Sequence, residues 1–347
     1  MKKPITGIAA PLTAWYRQHE RSFPWREEPS PYRVWVSEIM LQQTRIEAAL
    51  PYFERFMQAL PTIADLAEAS EDELLKLWEG LGYYSRVRNL QKAAQTVMRE
   101  YGGELPDTYE QLLTLPGIGE YTAGAITSIA FGKRAAAVDG NVLRVMARLT
   151  DDPTDVMQPQ NRKRLTALAQ SLVPDQHAGD FNQGIMELGE TVCLPNAQPR
   201  CSDCPLFDYC AVAGLERARE LPTRAKPKQR RVEQRTVFVV VKDNKVLLHR
   251  RPKKGLLGGM WELPNIESDY VGDALSDWGI VASAVDALPA AKHVFSHVEW
   301  HMTGCLVKAK VITPKSDFQL VSKEELAAYA LPTAFRTYSD ILKEDVL

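Results

Sequence analysis

Residues 115–132 read LPGIGEYTAGAITSIAFG, and six residues further on comes the segment Val138–Val145, VDGNVLRV. Two glycines, Gly117 and Gly119, stand one residue apart where one helix must stop and another start. Glycine admits positive φ and close backbone approach. A helix N-terminus beyond such a turn offers unpaired N–H groups to an anion. This combination suits a DNA phosphate gripped by backbone without reading sequence. Taken alone, Gly-x-Gly is more often simply a tight turn between helices. Asp139 ends the apolar run AAAV and precedes Gly140 and Asn141. It has the chemistry of an N-cap for the helix that follows. A carboxylate at that position is favoured in its ionised form by the helix dipole.

Outward from this hairpin, residues 1–215 carry apolar residues at three- and four-residue spacing, broken by Pro and Gly, with no fixed repeat period. They are expected to form an all-α region. Ser70 and Glu73 have the spacing of a capping box. Near residue 216 the character changes. LPTRAKPKQRRVEQR holds six Lys/Arg between Arg224 and Arg235 against one glutamate. Residues 216–233 are read as a basic linker, with phosphate contact as a second possibility. Then TVFVVVKDNKVLLHRR gives two β-rich runs around Asp-Asn, a strand–turn–strand signal. GCLVKAKVI is a further strand, and SKEELAAYAL and the last dozen residues look helical. Residues 234–347 are expected to form a separate α+β domain.

The 347 residues allow two domains, and 45% hydrophobic content allows each a core. A net charge of −2 gives no bulk attraction to nucleic acid, so any basic surface must be local. No apolar run reaches the length of a membrane span, and MKKPITGIAA lacks a sustained apolar core. A cytoplasmic protein with no membrane partner is expected. Four of the five cysteines, Cys193, Cys201, Cys204 and Cys210, fall within 18 residues at spacing C-x7-C-x2-C-x5-C. In a cytosolic chain such clustering points to an iron–sulfur cluster or zinc rather than disulfides. Glu38 lies among Trp35, Val36, Ile39, Met40 and Leu41. Desolvation there would raise its pKa and suit a general acid, unless it faces water from an amphipathic helix.

In order, PWR, SEIMLQQTR, GLGYYSRVRNL, LPGIGEYTAGA, VDGNVLRV, FNQGIMELG and the cysteine segment resemble those of the MutY family of adenine DNA glycosylases, within the helix–hairpin–helix superfamily that also holds endonuclease III. The resemblance is dense over roughly residues 10–215. It implies a helix–hairpin–helix glycosylase domain with a [4Fe–4S] cluster on the four cysteines, followed by a Nudix-like lesion-recognition domain. The implied activity is removal of adenine mispaired with 8-oxoguanine (or guanine) from double-stranded DNA by base flipping, by a protein expected to be monomeric. Glu38 is implied as the acid at adenine N7 and Asp139 as the anion that stabilises the oxocarbenium-like sugar, supported by Asn141. Trp25, Arg26, Leu41 and Glu187 match positions lining the adenine pocket. Gln43 and Tyr83 match residues that wedge the duplex. Tyr121 stands where endonuclease III relatives keep a lysine that forms a Schiff base with the sugar. Tyrosine cannot form that imine, so a monofunctional glycosylase is implied.

Two departures from the family pattern stand out. The first cysteine gap holds seven residues, LPNAQPR, where six are usual. GLLGGMWELP resembles the opening of a Nudix box, but VGDALSDWGI follows without the metal-binding glutamates, so pyrophosphate hydrolysis is not expected. Phe295, Ser296 and His297 match the loop that recognises 8-oxoguanine.

Overall fold

The computed structural model describes residues 2–225, 229–268, 273–313 and 315–342. Parts of three expected segments lie outside the described residues: 226–228 of the basic stretch, 271–272 of VGDALSDWGI and the last five residues. The chain divides into two compact units, residues 1–69 with 85–226, and residues 70–84 with 227–347.

The first unit is helical. Its central helix, Pro31–Leu41, is started by Ser30, whose side chain accepts from the Arg33 N–H, with Pro31 in the first turn. Tyr32 and every residue from Val34 to Met40 are buried, so this helix is enclosed on all sides. That enclosure is why Glu38 is inside. Gly140–Leu149 is likewise buried from Val142 onward. Its Leu143, Val145 and Met146 pack in one cluster with Leu12, Phe181, Ile185 and Leu188. Between the hairpin and this helix runs an extended, buried segment, Ala135–Val138. Asn182, 2% exposed, stitches it in place. Its side chain accepts from the Ala137 N–H (3.1 Å) and donates to the Ala135 carbonyl (2.7 Å) and Ser128 Oγ (2.8 Å).

The segment that Ser70 opens folds as two helices, Glu71–Leu77 and Ser85–Glu100. Between them Gly80, Gly82 and Tyr83 all take positive φ, which ends an α-helix. The first belongs to the second compact unit. Ser70 caps it by accepting from the Glu73 N–H.

The basic stretch 216–233 is folded at both ends. Arg217–Glu220 is a short helix whose Ala218 packs with Val212 and Leu221. At the other end, Arg231 already begins a strand. Apolar residues spaced among the charges, which a composition reading averages away, account for the first end.

The second unit is a seven-stranded sheet. Its strands are β1 Arg231–Lys242, β2 Lys245–Arg250, β3 Trp261–Glu262, β4 Asn265–Ile266, β5 Ile280–Val294, β6 Val298–Ile312 and β7 Phe318–Ser322. The order is β3-β2-β1-β6-β5, with β4 on β1 and β7 on β2. Among the described residues of this sheet only β1 and β6 pair in parallel. Asp243 and Asn244 turn β1 into β2 with positive φ at both residues, as a tight hairpin requires. Along β1, Val237 and Val239 face one core with Trp300 and Phe335, while Phe238 and Val240 face another with Leu247 and Val307. A strand buried on both faces reads as a continuous apolar run, which is what VFVVV is.

Candidate active site

The hairpin joins Tyr109–Leu112 to Glu120–Ala125. Only one of its glycines is demanded by conformation. Gly117 has φ +79, and a Cβ there would stand 2.7 Å from Asn89 Cβ. Gly119 is an extended N-cap with nothing within 4 Å of where its Cβ would be. The helix it starts carries Tyr121 inward. Gln42, just past the end of Pro31–Leu41, donates to Thr122 Oγ1 (3.3 Å), tying the two helices.

They meet at a cavity of about 370 Å³. It gathers Trp25, Arg26, Glu38, Leu41, Gln43, Tyr121, Asp139, Asn141 and Glu187, nine residues singled out from sequence. Glu38 is 7% exposed. Burial raises its carboxyl from 4.5 to about 7; the Tyr121 hydrogen bond opposes this rise, and the charge of Asp139 adds to it. The Tyr121 hydroxyl donates to Glu38 Oε2 at 2.6 Å, leaving Oε1 to carry a proton. Burial and the neighbouring Glu38 in turn drive the Tyr121 phenol well above its ordinary value.

Asp139 both caps a helix and faces the cavity. Oδ1 accepts from the Val142 N–H (2.7 Å) and Oδ2 from the Asn141 side chain (2.9 Å). Burial pushes this carboxyl upward, against the hydrogen bonds from Val142 and Asn141 that pull it down. The net direction is the reverse of what the helix dipole alone favours, because desolvation outweighs the donors. Asn141 is held by Arg144 (2.8 Å), which also donates to the carbonyls of Gly189 and Cys193.

Glu187, 2% exposed, is clamped by two guanidiniums, Arg21 on one oxygen and Arg26 at 3.0 Å on the other. Trp25 stacks on Phe23 and meets Phe53 edge-on. Sequence reasoning missed Arg21, Gln183, Met186 and Glu190, which also line the cavity. Gln183, Met186, Glu187 and Glu190 share one face of Ala178–Thr191 at spacings of three, four and seven. That stripe was visible in FNQGIMELGE. Arg21 lies in an irregular segment and had no such pattern.

Gln43 and Tyr83 both adopt positive φ, +58 and +48, and both are exposed. For non-glycine residues this backbone conformation is uncommon and costs energy. Phe295, Ser296 and His297 belong to the second unit and form the turn between β5 and β6.

The four clustered cysteines are free thiols bordering one cavity with Arg148 and Val192. Burial and the other three thiols push Cys204 up to about 12, and burial leads the rise of Cys210 to about 11. Such a donor set is stabilised by positive metal charge. Among the described residues no three His, Cys, Asp or Glu side chains converge as for a single metal ion. The seven-residue gap is absorbed by a turn with Asn196 at φ +53 and closed by the Arg200 N–H donating to the Val192 carbonyl (2.9 Å). Arg148 holds the first cysteine, donating to Cys193 Sγ (3.2 Å) and to its carbonyl. No helix among the described residues is long and apolar enough to cross a membrane.

Comparison with known proteins places these features in a class. The profile of HhH-GPD superfamily base excision DNA repair proteins matches residues 36–175, and that of the NUDIX domain matches residues 236–340. A solved thermostable thymine-DNA glycosylase is 30% identical, with a TM-score of 0.54 over 60% of this chain and 95% of that one. The protein is thus a DNA N-glycosylase built from a helix–hairpin–helix unit and a Nudix-like α+β unit. The adenine DNA glycosylase of Homo sapiens is 34% identical over 96% of this chain and 74% of its own length. That of Mus musculus is 36% identical over 97% and 78%. The chain belongs to the adenine DNA glycosylase family.

Proposed function

We propose that this enzyme excises adenine paired with 8-oxoguanine or guanine in duplex DNA and leaves the strand uncut. The observation that supports it is the pair of carboxylates facing one cavity under different restraint. Glu38, raised to about 7, is half protonated near neutral pH and suits a general acid. Adenine flipped into the cavity accepts that proton at N7. The bond from C1′ to N9 then breaks, and its electron pair leaves with the base. Positive charge left on the sugar is stabilised by Asp139, which Asn141 and the Val142 N–H hold in place. Glu38, now ionised, helps take a proton from the incoming water.

Trp25, Arg26, Leu41 and Glu187 would enclose the base. Gln43 and Tyr83 would fill and brace the gap in the duplex, and the backbone around Gly117 and Gly119 would grip a phosphate. Ser296, with Phe295 and His297, would contact the 8-oxoguanine. No lysine lines the cavity among the described residues, so an amine able to attack C1′ is lacking there, in keeping with tyrosine at position 121. Cys193, Cys201, Cys204 and Cys210 would hold a [4Fe–4S] cluster, four thiols around a cavity rather than on one point. When bound, the cluster ties this loop to the glycosylase fold. The purified protein is then brown, with broad visible absorption.

The test is a labelled duplex carrying adenine opposite 8-oxoguanine. Breaks should appear only after alkali. Breaks without alkali would overturn the monofunctional reading, and intact adenine would overturn the substrate.

A further inference from the structure

The second unit buries a charged cluster that excision does not use. It comes from the basic stretch RRVEQR, whose charges the sequence alone left as linker or phosphate contact. Because β1 runs parallel to β6 in this register, Glu233 lies beside Trp300. Glu233 is 6% exposed and Trp300 fully buried. The Trp300 indole N–H donates to Glu233 Oε2 at 2.8 Å. Arg235 donates to the same oxygen from Nη2 and Nε (3.1 and 3.2 Å), and Arg231 closes on Oε1. The Arg235 guanidinium also lies over the Trp300 ring, 4.2 Å from its centroid.

An indole gripped this way at its edge and face has one orientation. It presents that orientation to Phe295, whose ring meets it edge-on with centroids 4.8 Å apart. Phe295 opens the turn that carries Ser296 and His297. The backbone of this turn is held as well by the first residue of β1 and the residue before it. Arg230 Nε donates to the Phe295 carbonyl (3.1 Å) and the Arg231 N–H to the His297 carbonyl (3.2 Å). The Phe295 N–H donates to the Val298 carbonyl (2.8 Å). Ser296 and His297 themselves stay exposed. Apolar packing can hold a sheet as well as a buried ion cluster does. What the cluster adds is direction, since hydrogen bonds fix an angle and hydrophobic contact does not.

We propose that Glu233 and Trp300 are positioning residues for lesion reading, a buried carboxylate–indole strut that holds Phe295 and thereby aims Ser296 at the base opposite the adenine. This rests on the reading that the Phe295–His297 turn meets 8-oxoguanine. The experiment measures single-turnover excision by the full chain from duplexes with adenine opposite 8-oxoguanine and opposite guanine, and takes the ratio of rates. Trp300→Phe keeps a ring and removes the N–H; Glu233→Gln keeps the shape and removes the charge. Each should lower the ratio about tenfold, the worth of one well-placed hydrogen bond. The rate opposite guanine should stay within about twofold, since the strut acts only through the turn. Ser296→Ala tests the underlying reading and should lower the ratio at least as much. Adding Trp300→Phe to it should lower the ratio no further, because both act through one contact.

Ser296→Ala with an unchanged ratio would sink the lesion reading. A lowered ratio in Ser296→Ala alone, with Trp300→Phe and Glu233→Gln like wild type, would sink the strut and leave that reading standing. Equal loss on both duplexes, or additive effects in the double variant, also overturns the strut. If the unit carrying Trp300→Phe does not fold, Arg230→Met takes its place. It removes only an exposed side chain's bond to Phe295, and an unchanged ratio there counts against the proposal.

Discussion

Two glutamates, one in each unit, expose little of their surface, 7% at Glu38 and 6% at Glu233, but Glu38 is the more deeply enclosed. They titrate in opposite directions. Glu38 has one phenol as donor, and burial wins, lifting it to about 7. At Glu233 burial also pushes upward, but the hydrogen bonds and charge of Arg235, the charge of Arg231 and the Trp300 N–H outweigh it and hold the carboxyl below the usual range. The protonation state of a buried acid follows from the balance of its burial against the number and charge of its donors. A sparsely satisfied carboxyl can give up and take back a proton near neutral pH. A saturated one stays charged at neutral pH and serves to hold its donors in place.

The largest effect expected from this contrast is on excision. Glu38→Gln should cost roughly a thousandfold or more in the single-turnover rate, within the range for losing a general acid. Asp139→Asn should cost about a hundredfold or more by removing charge stabilisation at the sugar. Glu233→Gln should leave the rate opposite guanine within about twofold, since it touches no reacting atom. Rate measurements on the three variants check this. Survival of excision in Glu38→Gln would remove the acid from its role.

Most of this contrast could be read in the sequence at one site and almost none at the other. Glu38 stood out because a carboxylate interrupts a run of apolar residues, and the helix that carries it is indeed enclosed. Tyr121 was marked by the family pattern, but its bond to a residue 83 positions away is tertiary. Glu233 looked like one acid in a basic linker. Its burial depends on β1 starting at Arg231 and on parallel pairing with β6, which periodicity cannot reveal. Arg21 was hidden for a similar reason, since an irregular segment leaves no spacing to read. The sheet itself was legible where β1 is apolar on both faces and where Asp-Asn marks the hairpin.

The two glutamates should also leave opposite signatures in stability. Glu38 is raised in the folded chain, so the stability of its neutral form is complete below pH 4.5 and lost as pH rises to about 7. Glu38→Gln escapes that loss. Relative to wild type it should gain up to about 3 kcal/mol between pH 4.5 and 7, and nothing further above. Glu233 is lowered, so its contribution is present above pH 4.5 and lost as pH falls. Glu233→Gln should be less stable than wild type at pH 7 by roughly 3 kcal/mol, the range for breaking a buried ion pair. That deficit should shrink in acid. Denaturant titrations of the three proteins from pH 4 to 8 compare the slopes. Parallel slopes would mean that the donors do not control the charge.

The smallest effect isolates the single donor at Glu38. The Tyr121 hydroxyl favours the ionised carboxylate, so removing it must raise the carboxyl further. Tyr121→Phe should therefore shift the alkaline fall in excision rate to higher pH, by roughly one unit, the share of one charge-assisted hydrogen bond. Below the shifted midpoint the acid is fully protonated in both proteins, and the rates there should differ by less than about tenfold. A pH–rate profile of wild type, Tyr121→Phe and Trp300→Phe reads the result directly. Trp300→Phe strips a donor from the other glutamate and should leave the profile where it is. A limb that stays put or moves down in Tyr121→Phe would mean that the phenol does not tune the group whose ionisation limits excision. The sparse donor at Glu38 would then be incidental to its chemistry.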